Sequence, residues 1–276
     1  MLPLNEILEV LGHTFMVRAM VVGLLVSLCA ALLGVNLVLK RYAMIGTGLS
    51  HVGFAVMAVA GVIDVAPLTL SLPIVVATAF LLLRLNDSSR INGDSAVAMI
   101  STGGIAVGVI IVAMTTGVTL QICNVMFGSI FAMTQADMYF SIALSIAVIA
   151  MFLLFYKQLF AVTYDENFAK ATGVKVEVYK SMLAILTAIT VVLGMRMMGA
   201  LLIASLSLFP ALSAMRLCKR FLSVVIAAVI IGVVCFFVGM MLSIGLDIPP
   251  GASVVGVNLI VFIALSGVSF IKRGVA

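Results

Sequence analysis

Nine stretches of this chain are each long and apolar enough to enter a lipid bilayer, and that property restricts the fold more than any other in it. They run over about Phe15 to Leu39, Tyr42 to Val62, Pro67 to Leu83, Ser95 to Met114, Met138 to Tyr156, Ser181 to Met195, Gly199 to Leu217, Phe221 to Ile244 and Ala252 to Ile271. Crossing a bilayer as a helix takes about 20 residues, and lipid offers the backbone no hydrogen-bond partner, so only helices and closed barrels span it. Continuous apolar runs, as opposed to alternating ones, select the helix. The expected fold class is therefore all-α, a polytopic transmembrane helical bundle of eight or nine spans. With 64% hydrophobic and 9% charged residues among 276, the chain holds far more apolar material than one globular core could bury. One further run, Ile122 to Met133, is too short to span and reads as a partial or re-entrant helix. A cleaved secretory signal is not expected, because Met1 to Thr14 carries Glu6 and Glu9 and lacks a positive leading region.

The basic residues orient the spans. Placing the loop with Lys40 and Arg41 on the cytoplasmic side puts Arg84, Arg90, Lys157, Lys170, Lys175, Lys180, Arg216, Lys219, Arg220, Lys272 and Arg273 there too, thirteen of the fifteen Lys and Arg. Arg18 and Arg196 are the two left out, and Asp64, Asp137 and Asp247 fall at the outer ends. This pattern predicts nine crossings with an outer amino terminus and an inner carboxyl terminus. It also accounts for the formal charge of +5 as topology, with no nucleic acid as partner.

The longest polar insertion lies between Lys157 and Lys180, on the inner side by the same argument. Asp165 and Glu166 are placed to open a short helix, since acids favour a first turn, and Gly173 is placed to close it. That helix would carry Phe168 and Ala169 and present an aromatic knob among charges, although a plain solvated connector would read the same way. The chain is expected to be a single membrane domain over 1–276, with this segment at about 157–180.

Enzymatic signatures are missing. There is no GxxxxGK[ST], HExxH or GxSxG, so ATP hydrolysis, if it drives this protein, belongs to another chain. The four cysteines, Cys29, Cys123, Cys218 and Cys235, have no metal or disulfide spacing and read as small apolar residues, and the eighteen methionines read as packing. In the second run, Thr47 and His51 are four apart and share a helical face, where a hydroxyl and an imidazole could meet a cation. The same imidazole could instead hydrogen-bond a neighbouring helix and serve packing alone; spacing leaves both open. The Gly104 to Gly108 GxxxG reads as helix packing.

Several blocks, in order, resemble the integral-membrane permeases of ATP-binding-cassette importers for zinc and manganese: KRYAMIGTGLSHVGF (Lys40 to Phe54), GDSAVAMISTG (Gly93 to Gly103), CNVMFGSIFAM (Cys123 to Met133), VTYDENFAKATG (Val162 to Gly173), GMRMMGALLIASLSLFPALSAMRLCK (Gly194 to Lys219) and PPGASVVGVN (Pro249 to Asn258). The resemblance implies a prokaryotic cytoplasmic-membrane protein that pairs with a second copy of itself, two cytoplasmic ATP-binding subunits and an extracytoplasmic metal-binding protein. It implies no permanent cofactor, only a transported zinc or manganese ion. YDENFAKATG looks like the family's coupling helix, which assigns ATPase coupling to Tyr164, Asp165, Glu166, Phe168, Ala169 and Gly173. His51 matches the histidine of the family's IGDxLSH motif, whose aspartate and histidine contribute to a metal site. Thr47 stands where that aspartate usually is, which removes an anionic ligand; Asp64 is the remote alternative source of one. The rival reading is a secondary transporter or channel working without ATP, against which stands the scarcity of ionisable residues in the runs.

Overall fold

The computed structural model describes residues 14–86, 93–114 and 135–274, all organised around helices. In chain order these are α1 (Thr14–Leu39), α2 (Ile45–Val62), α3 (Pro67–Asn86), α4 (Gly93–Met114), α5 (Gln135–Leu154), α6 (Tyr156–Tyr164), α7 (Glu166–Ala171), α8 (Val176–Met198), α9 (Ala200–Leu217), α10 (Phe221–Leu246) and α11 (Pro250–Gly274). Eight of them are long and apolar enough to cross a membrane, and α5 with α6 makes a ninth candidate bent by 69°. The run at Ile122 to Met133, Arg90 and the block from Cys123 to Met133 lie outside the described residues.

Helices α1, α8 and α9 form the centre, each packed on several others, with α2 joined to them through α9 and α8. Helix α4 is peripheral, packing on α2 and α3, and α11 closes the opposite side against α9 and α10. Burial follows this order: 72% of the apolar window of α1 is enclosed, against 17% for α4. Most outward side chains of α4 beyond its first turn are apolar, Met99, Ile110 and Met114 among them, the composition a lipid-facing surface requires.

Without a hydrophobic force between helices in lipid, close approach depends on small residues. The Gly104 to Gly108 pair does this: a Cβ on Gly104 would lie 3.0 Å from the carbonyl carbon of His51, and one on Gly108 would lie 2.5 Å from the ring of Phe54. The GxxxG thus seats α4 on α2, as its spacing predicts. Gly34 similarly lets α1 meet the backbone of Ser207 on α9.

Two expectations need adjustment. The insertion after the fifth span is more helical than its charge suggested: Lys157 and Gln158 lie in the first turn of α6, a nine-residue helix that opens at Tyr156 and buries Leu159 and Val162. The sixth span begins earlier than Ser181, at Val176, because Lys180 is buried and paired instead of ending a loop. Cys29, Cys218 and Cys235 carry free thiols, in keeping with their reading as apolar filler.

Candidate functional site

Two regions gather the residues that the sequence singled out. The first lies where α2 crosses α4. Gly46, Gly48 and Gly53 are buried along α2, and Leu49 and Phe54 anchor the helix in the core, leaving Thr47 and His51 half-buried one turn apart. Because the glycine pair brings α4 against the backbone at His51, Ser101, one turn before Gly104, reaches the imidazole: its Oγ and His51 Nδ1 are hydrogen-bonded. Ser50 Oγ donates to the Thr47 carbonyl at 2.8 Å, tying off a second hydroxyl inside the helix. The polar spot is therefore an imidazole and two hydroxyl-bearing side chains, Thr47 and Ser101, set among apolar neighbours.

Such a spot holds His51 Nδ1 through Ser101 and leaves Nε2 as the ring's other donor or ligand atom. No three His, Cys, Asp or Glu side chains converge among the described residues. Asp64 does not complete the set: it follows the end of α2 in a left-handed conformation (φ 53°) and is exposed, and the helix from His51 to Val62 alone spans roughly 16 Å. A metal arriving here would meet one imidazole and neutral oxygens. Ser101 was not singled out by sequence reading; it lies inside a continuous apolar run, and its only signal is its place one turn before the GxxxG.

The second region is the segment from α6 to the start of α8. Asp165, extended (φ −149°), caps α7: its Oδ1 accepts from the backbone N–H of Asn167 at 2.9 Å and of Phe168 at 3.0 Å. Gly173 (φ 83°) closes the helix in the left-handed conformation that glycine adopts without strain, and the Val174 N–H reaches back to the Ala169 carbonyl at 3.0 Å. Ala169 is fully buried with Val162 and Val176, a small apolar cluster that fastens α7 to α6 and α8. This leaves Tyr164, 83% exposed, and Phe168, 63% exposed, pointing away from the protein.

Glu166 behaves differently from its neighbours. Its Oε1 lies 2.8 Å from Lys40 Nζ and its Oε2 lies 3.0 Å from Lys180 Nζ. Burial pushes its carboxyl up, but the hydrogen bonds and charges of the two lysines outweigh that and hold it below the usual carboxylate value. Lys40, Glu166 and Lys180 therefore meet at one end of the bundle. Phe221, at the start of α10, joins them there through ring contacts with Tyr156 and Phe160.

Eight helices of membrane-crossing length and apolarity among the described residues, with a ninth candidate in the bent pair, are the features of a polytopic membrane protein. The chain belongs to the ABC 3 transport family, whose model matches residues 12–269. Among its relatives is the manganese transport system membrane protein MntC of Halalkalibacterium halodurans, 25% identical over 97% of this chain and 91% of the relative. Another is the high-affinity zinc uptake system membrane protein ZnuB of Haemophilus influenzae, 28% identical over 89% of this chain and 94% of the relative. The fold matches a solved structure of PsaBC from Streptococcus pneumoniae in complex with Fab, with a TM-score of 0.84 at 22% identity over 95% of each chain. These relatives are named as membrane proteins of transport systems, not as enzymes.

Proposed function

We propose that this chain is the permease of an ATP-driven importer of divalent transition-metal ions in the cytoplasmic membrane of a prokaryote. It works as one domain that pairs with a second copy, receives the ion from an extracytoplasmic metal-binding protein and is powered by a separate cytoplasmic ATP-binding subunit. Tyr164 and Phe168 supply the contact with that subunit, while Asp165, Ala169 and Gly173 hold their helix in shape.

The observation that carries the reading is the polar spot at the α2 and α4 crossing, where His51 is held by Ser101 one turn from Thr47. An imidazole with hydroxyl oxygens suits zinc better than manganese, which favours carboxylate oxygen, so zinc is the proposed cargo. A weak and incomplete ligand set fits a pathway, since a site that binds too tightly cannot release. Uptake of Zn²⁺ and Mn²⁺ into proteoliposomes holding the permease, its ATP-binding subunit and its binding protein tests this. His51→Ala should lower uptake, and Thr47→Asp, by adding an anionic oxygen, should raise it. If neither change alters transport, His51 is a packing residue and the ion path runs elsewhere.

A further inference from the structure

The family resemblance groups Glu166 with the coupling residues of α7, and its carboxylate turns to two lysines of the bundle. Its carboxylate is held by two ammonium groups whose side chains are only 4% and 7% exposed, while its own side chain is 35% exposed. A buried lysine is costly without a partner, so this is an internal joint and not a solvated surface pair. The joined residues are far apart in sequence: Glu166 lies 126 positions beyond Lys40. A second tie runs beside it, Thr163 Oγ1 donating to Asn36 Oδ1 at 3.0 Å.

What the joint touches is the turn into the helix of the polar spot. Lys40 sits between α1 and α2, and that turn is closed by backbone hydrogen bonds from Lys40 to Asn36 (3.0 Å), Arg41 to Val38 (3.1 Å) and Tyr42 to Leu37 (2.7 Å). The Lys40 ammonium also lies 5.9 Å from the centroid of the Tyr42 ring, and Tyr42 is buried. The Ile45 N–H bonds the Tyr42 carbonyl at 3.0 Å, which begins α2. From there His51 is less than two turns away, roughly 9 Å along the helix. Beneath α7, the Ala169, Val162 and Val176 cluster makes α6, α7 and the start of α8 one packed unit.

We propose that Glu166 is a positioning residue that transmits motion. It ties the outward helix α7 to the α1–α2 turn through Lys40 and to α8 through Lys180, so that displacement of α7 moves α2 and the polar spot with it. The proposal rests on the function proposed above, and it separates two roles within one short helix: Phe168 docks, Glu166 transmits. Coupling across a protein needs a demonstrated energetic link and not mere adjacency, so the test measures transmission directly.

The permease is reconstituted with its ATP-binding subunit and binding protein, and three quantities are read for each variant: co-purification of the ATP-binding subunit, ATP hydrolysis, and Zn²⁺ or Mn²⁺ taken up per ATP. Glu166→Gln and Lys40→Met should keep the subunit bound and hydrolysis running while uptake per ATP falls at least tenfold. Lys40→Arg, which keeps the charge, should retain coupling. Glu166→Gln combined with Lys40→Met should be no worse than Glu166→Gln alone, because that single change already takes the carboxylate charge from both lysines. If Glu166→Gln fails to fold, Lys40→Met alone, which leaves Lys180 on the carboxylate, is read in its place. Loss of the ATP-binding subunit from Glu166→Gln, or wild-type uptake per ATP in the folded variants, overturns the proposal. A wild-type complex that takes up neither ion overturns the function reading itself.

Discussion

Gly104 of α4 lies against the backbone of His51 on α2, close enough that a Cβ would stand 3.0 Å from the histidine's carbonyl carbon and oxygen. The contact sets the depth at which Ser101 reaches the imidazole, so the packing motif and the polar spot form one construction. Gly108, one turn further, faces the buried ring of Phe54, which an added Cβ would approach to 2.5 Å, with no flexible end to give way. Gly108→Leu should therefore overpack the crossing and destabilise the protein by about 1–3 kcal/mol. Gly103→Ala, where an added Cβ meets nothing within 4 Å, should stay within about 0.5 kcal/mol of the parent. Denaturant titration of the detergent-solubilised protein compares the two; equal stabilities would mean that α4 does not rest on α2 through these glycines.

The Ser101 hydroxyl restrains one ring nitrogen of His51. Ser101→Ala should free the ring to rotate and remove one hydrogen bond, a loss of about 1 kcal/mol and hence roughly a fivefold drop in apparent affinity for the transported ion. Ser101→Thr should retain most transport, because the hydroxyl is kept. Concentration-dependent uptake of Zn²⁺ gives the readout, and unchanged half-saturation in Ser101→Ala would remove the serine from the site.

Phe168 and Asp165 test the outward helix in opposite ways. Phe168 is exposed and contributes little to the permease's own stability, so Phe168→Asp should leave folding intact and weaken binding of the ATP-binding subunit by about 2 kcal/mol or more, at least roughly thirtyfold. Asp165→Ala removes the cap that accepts two backbone N–H groups, and should weaken both helix and docking through a cost of about 1 kcal/mol. Asp165→Asn, which can still accept, should restore it. Pull-down of the subunit by each variant, alongside thermal unfolding of the permease alone, separates docking from folding.

The spans were legible because lipid imposes length and apolarity on every crossing helix, and α7 was legible because its cap residues, Asp165 and Gly173, act locally. The GxxxG was legible for the same reason. Helix α6 was not, since Lys157 and Gln158 read as a polar connector, whereas Leu159 and Val162 are buried on its inner side. The partnership of His51 with Ser101, fifty positions apart, depends on how two helices cross, and no periodicity within either helix contains it. Glu166 is the clearest case: residue type and position place it in the first turn of a short helix, and nothing local to that helix contains the two lysines from distant parts of the chain that hold its carboxylate.

That same pair of lysines makes the joint sensitive to acid, in a direction that can be worked out. Burial raises the Glu166 carboxyl, and the hydrogen bonds and charges of Lys40 and Lys180 lower it further than burial raises it, so the folded value lies below the ordinary 4.5. In acid the unfolded chain therefore binds this proton first. The stability from the joint is fully present above the ordinary value and is lost as pH falls through the depressed one. Wild type should thus exceed Glu166→Gln in melting temperature by a constant margin from about pH 7 to about pH 5, and the margin should shrink below about pH 4.5. Lys40→Arg should keep the margin, because the pairing charge is retained. Melting of the detergent-solubilised permease across this range, wild type beside Glu166→Gln, reads it out. A margin that shrinks between pH 7 and pH 5 would show that another group, and not the Glu166 carboxylate, governs the joint.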